Sequence, residues 1–338
     1  MKSRIVSVLV AAGFFSLGVS GSSAATLDEV KAKGFVMCGV SQGLPGFSHE
    51  KEGKWSGLDV DICRAIAAAI FGDGSAVKFT PLSARERFTA LTSGEVDVLS
   101  RNTTWTMKHD ASLGLNFGPT TFYDGQGFMV RKELGVNSTL ELSGATVCTN
   151  IGTTSELNVR DYFQSNNMEL NVLEFQKMDE ALKAYEIDRC QVYTADSSGL
   201  HAQRLKLSYP DEHNILPEII SKEPLGPVVR QGDDQWFNIV KWAVFALINA
   251  EEMGISSANI DSMMDFEEPA VARFVGASGS LGDMIGLDNE WAANIIKQVG
   301  NYSEIFERNV GPNTDLEIPR GINALWSNGG IMYAPPLR

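Results

Sequence analysis

Twice in this chain an apolar strand-like run leads into a helix-period run and then another strand, and no other feature limits the fold as much. Residues 35–40 read as a buried strand. From Gly57 the spacing of Leu58, Ile62, Ala65, Ile66, Ala69 and Ile70 predicts a helix, which Gly72-Asp73-Gly74 ends. Residues 77–79 read as a second strand, 85–92 as a second helix closed by Ser93-Gly94, and 96–99 as a third strand. After a break the pattern restarts. Residues 145–148 are a strand, Gly152-Thr153-Thr154-Ser155-Glu156 opens a helix, 179–187 is another helix and 190–195 another strand. Such alternation builds mainly parallel α/β sheets, whose ligand sites lie beyond the carboxyl ends of the strands. Two extended stretches divide the halves: 125–130, punctuated by glycine, and 222–229, where Pro224 and Pro227 forbid helix. Read as strands crossing between two lobes, they predict residues 26–124 as lobe 1 and 125–226 as lobe 2. Residues 227–338 then return to lobe 1 through an apolar helix at 236–250 and end in a helical extension. A length of 338 residues suits two domain-sized units.

The N-terminus sets the expected compartment. Lys2 and Arg4 precede an almost wholly apolar run, residues 5–19, and then come Gly21, Ser22, Ser23, Ala24 and Ala25. This is the layout of a secretory signal peptide with cleavage after Ala24 or Ala25. The run is shorter than the ~20 residues a bilayer span requires, and no Cys comes just after it to carry a lipid. Loss of Lys2 and Arg4 with residues 1–25 takes the formal charge from −14 to −16 over the remaining 313 residues. That excess argues against nucleic acid and against an anionic membrane surface as partners. In an exported protein Cys38, Cys63, Cys148 and Cys190 are expected to form disulfides. Three pairings are open. Pairing 38–63 and 148–190 is favoured because it places one bridge in each half, the alternative being four buried thiols. There is no C-x-x-C, and His49, His109, His201 and His213 lack metal-ligand spacing, so neither metal nor cofactor is expected.

Candidate chemistry sits after the predicted strands. The helix start at Thr153-Thr154-Ser155 offers N–H groups and hydroxyls to a carboxylate or phosphate, although Thr153-x-x-Glu156 is equally a capping box. Ser100-Arg101-Asn102-Thr103-Thr104-Trp105-Thr106 supplies convergent donors and a flat ring, or is a plain polar loop. Asp196, at the end of a strand, suits an ammonium group or a helix cap. Gly43-Leu44-Pro45-Gly46-Phe47-Ser48 allows close backbone approach, or is a turn. No P-loop, H-E-x-x-H or G-x-S-x-G motif marks an enzyme.

Taken together, residues 44–48, 57–65, 93–106, 123–130, 152–157 and 222–229 resemble those of the periplasmic solute-binding proteins of amino-acid ABC transporters, in particular the general L-amino-acid class. The likeness runs through nearly all of residues 34–338. It implies a type II periplasmic binding protein whose lobes close on a ligand at the hinge before docking on an inner-membrane permease, as a monomer in the periplasm. It also implies that Asp196 meets the ligand's ammonium group, that Thr154 helps hold its carboxylate, and that Asn102 and Thr104 bond to it from lobe 1. Relatives commonly carry an Arg where this chain has His109, and an imidazole lacks the two-pronged fork of a guanidinium. Arg101, Arg85 or Arg87 is the expected substitute, unless a protonated His109 takes the role. Leu44 stands where many single-specificity relatives stack an aromatic ring, which implies a roomier pocket and leaves open a larger amino-acid derivative or a short peptide. A sensory binding protein and an exported enzyme on the same fold are the competing readings. The candidates for acid–base work in an enzyme are Asp196, His109 and Glu156.

Overall fold

The structure is a computed structural model that describes residues 25–338, so the expected leader lies outside the described residues except for Ala25. The chain begins with α1 (Thr26–Lys33) and β1 (Val36–Ser41). A hairpin of β2 (His49–Lys51) and β3 (Lys54–Ser56) leads to α2 (Leu58–Phe71), β4 (Val77–Leu82), α3 (Arg87–Thr92), β5 (Val98–Leu99), α4 (Met107–Ser112) and β6 (Leu115–Phe117). The strand β7 (Phe122–Asp124) leads out to β8 (Gln126–Arg131), β9 (Thr146–Asn150), α5 (Thr154–Ser165), β10 (Asn171–Phe175), α6 (Met178–Glu186), β11 (Val192–Asp196), α7 (Ser197–Arg204) and β12 (His213–Ile215). The return runs through β13 (Glu223–Leu225) and β14 (Val228–Arg230) into α8 (Asp234–Glu252). Beyond it lie four further helices: α9 (Ile260–Met263), α10 (Pro269–Phe274), α11 (Trp291–Val299) and α12 (Tyr302–Asn309).

Two five-stranded sheets result, ordered β4-β1-β5-β14-β6 and β10-β9-β11-β8-β12. In each, three parallel strands form one side and a strand antiparallel to them extends the sheet, β14 in the first and β8 in the second. The fold is therefore the expected two-lobed α/β arrangement. Its central parallel strands open with buried apolar residues and turn polar only towards their carboxyl ends: β1 buries Val36, Cys38 and Val40 before Ser41, and β11 buries Val192 and Tyr193 before Thr194 and Asp196. The helix α2 ends at Gly72, whose φ of 66° lets its N–H bond back to the Ala68 carbonyl, the glycine stop read in the sequence.

Two expectations shift. Residues 125–130 were expected to cross between lobes, but β8 is a central strand of the second sheet, hydrogen-bonded on both sides and buried from Gln126 to Val130. The crossing is a separate two-stranded ladder of β7 and β13. The helix expected from residue 85 starts at Arg87, because Ser83 and Glu86 close a turn by reciprocal backbone–side-chain bonds of 3.1 and 3.2 Å. The weakly patterned residues beyond 257 form α9–α12, which bury Trp291, Ile295, Ile296, Tyr302 and Phe306 in the same core as α2 and α8. No helix among the described residues is long and apolar enough to cross a membrane.

The cysteines form Cys38–Cys63, between β1 and α2, and Cys148–Cys190, between β9 and the residues leading into β11, with Cα separations of 6.3 and 5.8 Å. Each closes a loop inside one lobe, across 25 and 42 residues respectively. Peptide mapping without reduction should recover these two pairs. Replacing either pair by Ala should lower unfolding free energy by about 3–4 kcal/mol in denaturant titrations, the loop-entropy expectation for such spans.

Candidate ligand site

The carboxyl ends of the parallel strands in both sheets face the gap between the lobes, and the residues just beyond those ends line a cavity there. Gln42 comes after β1, while Ser83, Ala84 and Arg87 come after β4. Arg101, Asn102 and Thr104 come after β5. From the other lobe come Thr149, Asn150, Thr153, Thr154 and Ser155 around the end of β9, Gln176 and Met178 after β10, and Asp196 at the end of β11. The lobes are closed on each other. Thr104 Oγ1 lies 3.4 Å from Thr154 Oγ1, and Lys206 Nζ of the second lobe donates to the Gly43 carbonyl of the first at 2.9 Å. Gly152 adopts φ +78°, the left-handed region that favours glycine, at a turn that faces Arg85 across the gap.

In the first lobe the polar loop after β5 is built around a buried carboxylate. Asp59, in the first turn of α2, accepts from Ser100 Oγ at 3.1 Å and from the Asn102 backbone N–H at 2.8 Å. This holds Asn102 at φ 33°, in the left-handed region. Burial pushes the Asp59 carboxyl up to about 6, against the pull of those bonds and of Arg101. Arg101 is itself buried and fixed by its Nε–H to the Leu82 carbonyl at 3.0 Å. Arg87, only 3 % exposed, lies over the Phe88 ring at 4.7 Å, and its Nε has no hydrogen-bond partner among the described residues. Burial and the neighbouring guanidinium bring Arg87 down to about 9, still charged at neutral pH. Two buried guanidiniums, one with an unused donor, form the positive pole of the cavity.

The negative pole belongs to the second lobe and the crossing ladder. Asp196 sits at the N-terminal boundary of α7 but makes no capping hydrogen bond, so the helix-cap alternative fails. Its carboxyl is held well above the ordinary carboxylate range, first by burial and then by the charges of Asp124 and Glu223. Asp124 accepts from the N–H and hydroxyl of Ser198, and burial raises it to about 6. Glu223, 1 % exposed, accepts from Thr154 Oγ1, Asn158 Nδ2 and Ser221 Oγ at 2.6–2.8 Å. A positive pole beside a negative one, with the N–H groups that open α5 between them, matches the charges of a zwitterion.

Residues 36–257 match the sequence profile of the bacterial extracellular solute-binding proteins, family 3. The chain belongs to that family. It is 58 % identical over its full length, and over the full length of the relative, to the general L-amino acid-binding periplasmic protein AapJ of Rhizobium johnstonii. Identity is 48 % over 96 % of both chains to the glutamate/glutamine/aspartate/asparagine-binding protein BztA of Rhodobacter capsulatus. Among solved structures, a periplasmic binding protein of Brucella ovis with glutathione bound superposes with a TM-score of 0.92 at 55 % identity, covering 94 % of this chain and all of the other.

Within this family member, Asn102, Thr104, Arg101, Thr153, Thr154 and Asp196 are brought together around the cavity as the sequence suggested. Four expectations need correcting. His109 does not line the cavity. Its Nδ1 bonds to the Thr104 carbonyl at 3.0 Å and its ring packs between Phe88 and Phe117, so it supports the loop from behind. Burial lowers its pKa, which disfavours the protonated clamp. Trp105 likewise points elsewhere, stacked on Phe117. Leu44 is buried in the lobe-1 core rather than beside the ligand space, and its loop is the turn that was the simpler account. Thr153 spends its hydroxyl on the helix cap, accepting from the Glu156 N–H at 3.3 Å and donating to the Asn150 carbonyl at 2.6 Å. Sequence reasoning missed Gln42, Ser83, Gln176 and Met178, although each comes after a strand it had placed or could have placed. It also missed Glu223, whose signal was an acid inside an otherwise apolar, proline-marked extended stretch.

The raised Asp196 carboxyl carries a stability consequence. A carboxyl whose folded pKa is raised binds a proton that the unfolded chain has lost, so stability falls as pH rises from the ordinary carboxylate value through the folded one. Asp196→Asn removes one member of the cluster. Its melting temperature without ligand should therefore exceed that of the wild type by a margin that grows from pH 5 to pH 8. An equal or shrinking margin in calorimetry would mean that the Asp196 carboxyl is not raised in the folded protein.

Proposed function

We propose that this protein binds free α-amino acids of varied side chain in the periplasm and delivers them to an inner-membrane ABC permease. The carrying observation is the pairing of Arg87 and its unused Nε with Asp196 across one cavity. Arg87 and Arg101 take the ligand carboxylate, with the opening N–H groups of α5, and Asp196 takes the ammonium group. Asn102, Thr104 and Thr154 complete the donors and acceptors. On this reading residues 26–123 and 224–338 act as lobe 1 and 124–223 as lobe 2, one and three residues from the expected boundaries, the leader 1–25 is removed on export, and the protein works as a monomer without catalysis. Family membership and the periplasmic relatives support this over an exported enzyme.

A second reading, an amino-acid derivative or short peptide such as glutathione, has its own support. Gln42, Ser83 and Gln176 line both the cavity and a wider recess open to solvent, so a ligand's tail has a way out. The Brucella ovis relative was solved with glutathione.

A thermal-shift and calorimetric screen of the standard amino acids, with glutathione included, tests both. A ligand at 100 times its Kd should stabilise the protein by about 2.7 kcal/mol, and a flat response to every compound would remove the proposal. Arg87→Met and Asp196→Ala should each weaken binding by about 2–5 kcal/mol, the typical penalty for leaving a buried charge unpaired. His109→Gln should change it less than about threefold, under ~0.7 kcal/mol. An incoming ammonium favours the ionised form of Asp196, so binding releases protons and affinity should rise from pH 5 to pH 8. The opposite slope would restore a protonated His109 as the clamp. Uptake assays in a deletion strain separate transport from sensing.

A further inference from the structure

The crossing ladder is divided between the lobes at one register step. On the outgoing strand, Tyr123 and the residues before it are tied to lobe 1, whereas Asp124 is tied to lobe 2 through the N–H and hydroxyl of Ser198. On the return strand, Glu223 is bonded to Thr154 and Asn158 of lobe 2, whereas the Pro224 carbonyl accepts from the Trp105 N–H of lobe 1 at 2.9 Å. Leu225 is likewise bonded to lobe 1, accepting from the Thr121 N–H at 2.7 Å. In the ladder Asp124 stands opposite Glu223, and Tyr123 opposite Pro224. The division therefore falls between two adjacent cross-strand pairs.

The segment beyond α12, outside the residues 36–257 that define the family, holds Tyr123 on the lobe-1 side. Pro224 has no N–H to offer its partner, and Tyr123 turns both of its backbone groups to Asn323. Its N–H donates to Asn323 Oδ1 at 2.7 Å, and its carbonyl accepts from Asn323 Nδ2 at 3.0 Å. One side-chain amide thus acts as a third strand on the ladder's free edge. Asn323 is 4 % exposed, and its own carbonyl accepts from Arg320 Nε and NH2 at 3.1 and 3.0 Å. Arg320 in turn grips Glu251 at the end of α8 and lies over the Tyr302 and Phe306 rings. Tyr302 completes the tie, its hydroxyl donating to the Thr121 carbonyl at 2.7 Å.

We infer that the C-terminal extension, through Asn323, fixes the pivot of the hinge between the Tyr123–Pro224 and Asp124–Glu223 pairs and so sets the balance of open and closed states. Asn323 is a positioning residue that touches no ligand. Opening then carries Asp124 and Glu223 away with Asp196 as one rigid acidic unit, leaving Arg87 and Arg101 on the other lobe. This inference rests on the proposed amino-acid binding for its affinity readout, though not for its shape readout.

The test is Asn323→Ala in the mature protein. With the pivot unbraced, a smaller fraction of ligand-free molecules is closed, and apparent affinity falls by that fraction whatever the side chain bound. L-Glutamine and L-alanine should lose affinity by one common factor, about 5–50-fold in the range of ordinary coupling free energies. Small-angle X-ray scattering of the ligand-free variant should give a larger radius of gyration than the wild type. Asn323→Asp keeps the acceptor for the Tyr123 N–H and loses the donor, so it should fall between the two. It also serves as the test if the alanine variant does not fold. Unchanged dissociation constants and unchanged scattering, with only a lower melting temperature, would overturn the inference and leave Asn323 a structural residue. If the wild type binds neither amino acid, the functional proposal fails while the scattering comparison still decides the pivot.

Discussion

Three carboxylates, those of Asp196, Asp124 and Glu223, meet in a space from which water is largely excluded, and most of the cleft's architecture answers to that fact. Carboxylates buried together cannot all ionise at little cost, and burial raises Asp196 and Asp124, Asp196 further through its charged neighbours. The chain offsets this with local donors. Ser198 serves Asp124, while Thr154, Asn158 and Ser221 serve Glu223. Asp196 has no such set from its own lobe, only the Asn102 side chain and the Arg87 charge of the other lobe, and it is the one of the three that lines the cavity. The guanidiniums of Arg87 and Arg101 mirror this on the opposite lobe, with Arg101 anchored and Arg87 less so. A groove left with one under-bonded anion and one under-bonded cation is poised for a partner that carries both charges.

The same acids tie chemistry to motion. Asp124 and Glu223 are cross-strand neighbours in the crossing ladder and hold on to lobe 2, so they belong to the hinge and to the site's electrostatics at once. Thr154 shows the economy of this arrangement. Its hydroxyl donates to Glu223 and lies near Thr104 of the other lobe, so one side chain reports closure to the ladder and to the cavity. A change in the angle between the lobes breaks the Thr154–Thr104 contact while Glu223 stays with Thr154, which is the physical content of a binding protein that closes on its ligand.

Legibility in the sequence tracked the strength of the periodic signal. The helix at Leu58–Phe71 and the strands flanking it were readable because apolar spacing and the Gly72 stop agreed, and the cysteine pairing came from the repeat of that unit. The rule that ligand sites lie beyond strand carboxyl ends pointed to the loop of Asn102 and Thr104 and to Asp196, a helix start pointed to Thr154, and their roles came from the family resemblance; applied to every strand the rule would also have reached Gln42, Ser83 and Gln176. The hinge was misplaced by a few residues because β7 is only three residues long, too short for any period, while the neighbouring β8 carries the stronger apolar run. His109 was weighed as a ligand because family position says where a residue sits along the chain, whereas Phe88 and Phe117 decide which way its ring turns. Asn323 was illegible altogether: a lone asparagine in a weakly patterned tail has no signature, and its role appears only when the chain brings it back across 200 residues to Tyr123.

Breadth of specificity has a simple origin if the proposed reading holds. All the charge in the cavity is concentrated where the α-ammonium and α-carboxylate groups go, and those groups are common to every amino acid. The rest of the lining is uncharged, with Ala84, Met178, hydroxyls such as Ser83 and the amides of Gln42, Asn150 and Gln176, none of which carries a charge that would reward or penalise one side-chain charge over another. Discrimination between ligands needs a contact that one makes and another cannot, or a buried group left unpaired by the wrong one. A thioether that adapts to shape and amides that can both donate and accept supply little of either. Binding free energy drawn from the shared end of the ligand is then nearly the same for all of them, and the recess beyond Gln42 and Gln176 removes the remaining steric bar to length.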